Sequence, residues 1–118
     1  VALSQAEQDE LTAALMALAR ELESGLEGSE EAARPVELDQ PAVGRVSRID
    51  AIQQQKMLEA NRAAQQSRLH AVRAALLRID EDEYGECRAC GEEIALPRLR
   101  ARPESAYCID CQSARERS

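Results

Sequence analysis

Tyr84-Gly85-Glu86-Cys87-Arg88-Ala89-Cys90-Gly91 and, with 17 residues between Cys90 and Cys108, Cys108-Ile109-Asp110-Cys111 decide how this chain folds. Each Cys-x-x-Cys offers two sulfurs on one tight turn, and a chain reversal between the turns brings the pairs together as a tetrahedron. That is the spacing of a four-thiolate zinc site, so Cys87, Cys90, Cys108 and Cys111 are the predicted ligands of one structural Zn2+. Gly91 follows the first knuckle, where a residue without Cβ lets backbone amides turn toward the sulfurs. A catalytic zinc keeps an open position and takes His or carboxylate ligands, whereas four thiolates close the site. The only histidine, His70, lies outside the knuckles and reads as a packing or surface residue of a helix. The alternative is two disulfides, which belong to oxidising compartments. No basic region followed by a continuous apolar run opens the sequence, so a reducing, cytoplasmic setting is expected.

The composition favours one small domain on an extension over a single compact body. The 118 residues contain no Trp or Phe and only 2 Tyr, so the aromatic bulk that fills most cores is missing. Apolar residues make up 44%, carried largely by Ala and Leu, which suits long helices with narrow packing stripes. No segment approaches the roughly 20 apolar residues that cross a bilayer, and no membrane role is expected. Charge is uneven: residues 1–50 hold 11 acidic and 4 basic side chains, whereas residues 51–118 hold 11 of each. An acidic N-terminal half argues against attraction to DNA phosphate, so sequence-specific DNA binding is not expected. There is also no Ser/His/Asp arrangement, no Gly-rich phosphate loop and no His-based metal site, and the chain does not read as an enzyme.

Two helices precede the cysteines. Ser4 with Glu7 forms a capping box, and Leu11, Leu15, Leu18, Leu22 and Leu26 then recur every three or four residues to about Glu31. Gly25 and Gly28 weaken the end of this helix. Pro35, Pro41 and Gly44 punctuate a reversal near residues 32–47, which is either an exposed connection or a tip that contacts something through Glu37, Asp39 and Asp50. A second helix runs from Pro41 or Ala42 to Asp80, extending about 55–60 Å at 1.5 Å per residue. It carries apolar patches at Val46, Ile49 and Ile52 and at Leu69, Val72, Leu76 and Ile79, with small Ala60, Ala63, Ala64 and Ser67 between them to admit a facing helix. Residues 4–31 hold 8 acidic groups against Arg20, while Lys56, Arg62, Arg68, Arg73 and Arg78 dominate residues 51–79. Opposite charges favour an antiparallel hairpin of the two, although pairing between molecules satisfies the same pattern. The expected fold is therefore mainly α: a hairpin or coiled coil over 1–80 and a four-cysteine zinc finger with a short C-terminal helix over 81–118. Ile94, Leu96, Leu99 and Tyr107 would supply the finger's apolar set, and Arg98, Arg100 and Arg102 are either a solvated face or a contact for phosphate or an acidic protein.

The run Tyr84 to Ile94, with Arg98-Leu99-Arg100-Ala101-Arg102-Pro103 and Cys108-Ile109-Asp110-Cys111-Gln112, resembles the zinc-finger signature of the DksA/TraR family. The resemblance implies a bacterial regulator that binds RNA polymerase directly, with its coiled coil in the secondary channel and its tip near the catalytic magnesium, modulating transcription initiation. It also implies an Asp-x-x-Asp-x-Ala motif at the tip, where this chain has Gly44 and Ser47 at the aspartate positions. Asp39, Ser47 and Asp50 are accordingly the candidate tip contacts. Gln112 stands where a basic residue often follows the last cysteine, so the resemblance leaves an alarmone (ppGpp) response open. The alternatives are a zinc-finger nucleic-acid-binding module using the three arginines and a helical module for another protein partner.

Overall fold

The computed structural model describes residues 3–32 and 45–117. Helices α1 (Gln5–Ala32) and α2 (Arg45–Asp80) are followed by two short helices, α3 (Leu96–Ala101) and α4 (Ile109–Glu116). Residues 33–44 of the expected tip, Asp39 included, lie outside the described residues.

The start of α1 follows from its first residues. Ser4 Oγ accepts the N–H of Glu7 at 3.1 Å, and Glu7 Oε1 accepts the N–H of Ser4 at 2.9 Å, so two backbone donors at the helix start are satisfied reciprocally. The Ser4 backbone N–H, and after it the Ser4 side chain, hold the Glu7 carboxyl below its ordinary range. At the far end of α2, Asp82 takes a left-handed φ of 58°. Its N–H bonds to the Ile79 carbonyl at 3.2 Å and that of Glu83 to the Arg78 carbonyl at 2.8 Å, a Schellman cap with aspartate in the place glycine usually takes.

The two long helices run antiparallel within the chain. Leu3 lies beside Gly85, Arg73 donates to Glu23 at 3.1 Å, and Gln65 faces Gly25, so partners advance along α1 as they retreat along α2. Leu15, Ala19 and Leu22 pack with Leu69, Val72 and Ala75 as one buried cluster, joined by Leu18, Leu26, Leu76 and Ile79 at its margin. On α2 the seam follows Leu58, Arg62, Gln65, Leu69, Val72, Leu76 and Ile79, a strict alternation of four and three residues. Ala60, Ala63, Ala64 and Ser67 were the expected close-approach positions, but all four are exposed. An alanine-rich stretch has no polar contrast to mark its inner face, and the leucine register places these residues off the seam. The early patch is also open: Ile49 is 49% and Ile52 43% exposed.

The result is elongated, 65 × 31 × 20 Å, with α2 alone covering about 54 Å over its 36 residues. A second buried cluster, Leu11, Cys87, Ile94 and Leu99, lies at the base of the rod, with Leu3, Tyr84, Leu96 and Tyr107 around it. Leu11 thus serves the cysteine region and not the helix–helix seam, although it sits in the same leucine row as Leu15.

Candidate metal centre

The first knuckle is a miniature hairpin. Glu86 pairs with Glu93 in an antiparallel bridge, Ile94 N–H bonds to the Gly85 carbonyl at 2.8 Å and Cys87 N–H to the Glu92 carbonyl at 2.8 Å. Closing it requires left-handed backbone at Gly91, φ 77°, and Gly85, φ 92°. At Gly85 space is short as well, since a Cβ there would stand 3.2 Å from Leu3 Cδ1. The second knuckle opens α4: Cys108 is its N-cap and Cys111 lies in its first turn, three residues on and so on the same side of the helix. Arg88 N–H joins the knuckles by bonding to the Ala106 carbonyl at 2.9 Å.

Between the knuckles, α3 carries Pro97 in its first turn, where the missing N–H costs nothing, and it buries Leu99. This helix was not anticipated from the sequence. Tyr84 Oη donates to the Pro103 carbonyl at 2.8 Å, and burial pushes the phenol up to about 12, which keeps that proton in place. Arg115 stacks 4.3 Å above the Tyr107 ring, fixing α4 against the finger.

The four cysteine sulfurs lie within 4.8 Å of one another, with Cys90 and Cys108 Sγ 3.8 Å apart. A tetrahedral zinc with Zn–S bonds of about 2.3 Å sets its sulfurs about 3.8 Å apart, whereas a disulfide needs about 2.05 Å. The donor set fits one zinc ion, and all four cysteines are free thiols. Burial raises the Cys87 thiol, but backbone N–H groups at Cys108, Cys90 and Ala89 outweigh it and bring the group down to about 6. Hydrogen bonds with Cys108 and Cys87 push Cys111 up to about 12. Packed this closely, the sulfurs do not all ionise without a cation among them.

The arginines of this region do not form one patch. Arg98 Nε donates to the Tyr107 carbonyl at 3.0 Å, and Arg100 forks onto Glu10 of α1 at 3.0 and 3.4 Å, while Arg102 is exposed. Nor does the basic row of α2 serve α1 alone. Arg73 reaches Glu23, but Arg68 turns to Glu104 of the finger at 2.6 Å. Glu104 is 8% exposed, and its second oxygen, Oε1, is buried without a partner. A glutamate after proline reads as surface in a sequence, so nothing signalled this clamp. Removing Arg68 would strand a buried carboxylate. Arg68→Ala is expected to cost about 2 kcal/mol, and Arg68→Ala with Glu104→Leu less than the single change, in denaturant unfolding of the zinc-loaded protein.

Of the tip candidates, Ser47 lies in the first turn of α2 and Asp50 is exposed one turn further on. His70 is exposed on α2. Among the described residues, no helix is long and apolar enough to cross a membrane.

Residues 82–117 match the prokaryotic dksA/traR C4-type zinc finger. Over 56 residues the chain is 41% identical to the RNA polymerase-binding transcription factor DksA of Haemophilus influenzae, covering 48% of this chain and 39% of that protein. The DksA of Escherichia coli is 34% identical over 56 residues, 48% of this chain and 37% of that one. The matched stretch thus spans about two fifths of these curated relatives. Similarity of fold reaches further. The structure of transcription factor DksA2 from Pseudomonas aeruginosa superimposes with a TM-score of 0.76 at 26% identity, over 97% of this chain and 86% of that one. The DnaK suppressor protein from Agrobacterium tumefaciens gives 0.58 at 29% identity, over 90% and 91%.

Proposed function

We propose that this chain is a DksA-like zinc-finger protein and an RNA polymerase-binding regulator of transcription initiation, on the strength of the finger match over residues 82–117 and the likeness to DksA proteins. The observation that carries this reading is the likeness to DksA2 along nearly the whole chain, hairpin and finger together. In this reading residues 81–118 form the finger at the base, held by zinc on Cys87, Cys90, Cys108 and Cys111, and residues 1–80 supply the projecting hairpin. A thin rod some tens of ångströms long suits the polymerase secondary channel, and the distal end is the part that enters. Asp50 lies 30 residues before the end of α2, about 45 Å from the finger, so Asp39, Ser47 and Asp50 are the proposed tip contacts. The zinc supplies structure and no chemistry, since four thiolates leave it no open position. The protein acts in the cytoplasm, where its polymerase works and its thiols stay reduced.

A nucleic-acid role for the finger has less support, because Arg98 is turned onto the Tyr107 carbonyl and Arg100 is paired with Glu10, so the three arginines form no common patch.

The test is a binding assay with core polymerase. Zinc-loaded protein is expected to bind at micromolar concentration and to be displaced by another secondary-channel factor. Asp50→Ala, an exposed single contact, is expected to weaken binding by less than about tenfold while altering the effect on initiation. Absence of both binding and competition would remove the proposal.

A further inference from the structure

The seam between α1 and α2 changes character partway along. From Leu15 to Leu22 and from Leu69 to Ala75 its positions are apolar and buried. The next two seam positions of α2 toward its start are Gln65 and Arg62, both half-buried, and Gln65 Oε1 and Arg62 Nε are buried without hydrogen-bond partners. Beyond them, Leu58 is 37%, Met57 65%, Ile52 43% and Ile49 49% exposed, and no described side chain from Arg48 to Arg68 is fully buried. Polar residues at seam positions fix register but weaken a coiled coil.

The facing stretch of α1 is weak for a separate reason. Gly25 and Gly28 stand in its helix, yet neither is demanded by packing: a Cβ at Gly25 would meet only Gln65 Oε1 at 3.9 Å, and at Gly28 nothing. Two glycines within four residues lower helix propensity where the remaining segment, residues 25–32, is far too short to hold a helix by itself. The corresponding part of α2 is rich in Ala, Gln and Arg and is helical by propensity. Separation at this level would also hydrate Gln65 Oε1 and Arg62 Nε, which removes part of its cost.

From this we propose that the hairpin is built in two parts: a locked base, and a distal section in which α1 opens locally from α2 beyond Gly25 while the base stays folded. The device would let the far end of the hairpin change its thickness and direction without disturbing the finger. It goes beyond the proposed function and does not depend on polymerase, being a property of the free, zinc-loaded protein.

Hydrogen exchange followed by mass spectrometry tests it. Amides of residues 26–32 are expected to exchange at least 100-fold faster than those of residues 15–22, at a rate nearly independent of low denaturant, as local openings are. Fraying of any helix end would give fast exchange as well, so two variants decide. Gly25→Ala with Gly28→Ala is expected to slow exchange in 26–32 by roughly tenfold or more. Gln65→Leu, which restores an apolar seam on the other helix, is expected to slow it comparably while residues 15–22 keep their rate relative to global unfolding. Equal protection of the two stretches in the unaltered protein overturns the proposal. So does a Gln65→Leu variant in which 26–32 exchanges as before, because simple fraying would not respond to the facing helix.

Discussion

Chelation of zinc, or Cys108→Ser, is expected to unfold residues 84–111 and the first turns of α1 while the buried seam from Leu15 to Leu22 survives. The finger has few apolar groups of its own: among the buried residues of its cluster, only Ile94 and Leu99 are aliphatic side chains from within it. Burial of two such side chains falls far short of the entropy of ordering the segment, so metal binding must supply much of what holds it folded. Circular dichroism should therefore lose the signal of α3, α4 and the start of α1 but keep most of α2. A metal-free protein with an unchanged spectrum would refute the assignment.

The pH dependence has a definite sign. Zinc takes thiolates, so every sulfur protonated in the metal-free site must lose its proton on binding. Cys111, pushed up to about 12, is such a group across the whole physiological range, whereas Cys87, at about 6, is already ionised at neutral pH. Stability from zinc is thus present at high pH and falls as pH falls, with a steeper slope below about 6, where Cys87 also protonates. Competition against a chelator at pH 8, 7 and 5.5 reads this directly. An affinity independent of pH would mean that the sulfurs are not the ligands.

Different physical features carried different parts of this structure into legibility. The zinc finger was readable because ligand spacing is a constraint on chain geometry, and little else produces two knuckles at that distance. The hairpin was readable because a leucine row at intervals of three and four has few other uses, and the Ser4–Glu7 box is a local signal that tertiary packing does not override. Register was not readable in the same way. Ala60, Ala63, Ala64 and Ser67 looked like the inner face because they are small, yet the seam passes through Arg62 and Gln65, polar residues that a pattern of apolar positions skips. Charge gave the partners of α2 only coarsely. Five basic groups facing an acidic helix suggested pairing along the rod, but Arg68 is drawn to Glu104, a buried acid supplied by a loop. Asp82 closes α2 in a conformation expected of glycine, so the acidic run hid a helix cap. Of the tip, Ser47 and Asp50 fall on α2, and their placement says nothing of contact with a partner.

Leu11→Ala is the substitution expected to show that finger and hairpin are one folding unit. Leu11 is 1% exposed and lies against Cys87, Ile94 and Leu99, although it belongs to α1. Its truncation removes apolar contact from a cluster with few members and little means to collapse, so a loss of about 3 kcal/mol is expected. Where the finger folds only with its metal, that loss appears as weaker zinc binding, on the order of 100-fold at 1.4 kcal/mol per decade. Leu22→Ala is the matched control. It deletes the same atoms from a residue 8% exposed in the helix–helix cluster, away from the finger. It should lower the unfolding midpoint of the hairpin and leave zinc affinity within a few-fold of the original. If instead both variants left zinc affinity unchanged, the contact between Leu11 and the finger would carry no folding energy, and α1 would be a separate rod set beside a finger that its metal holds alone.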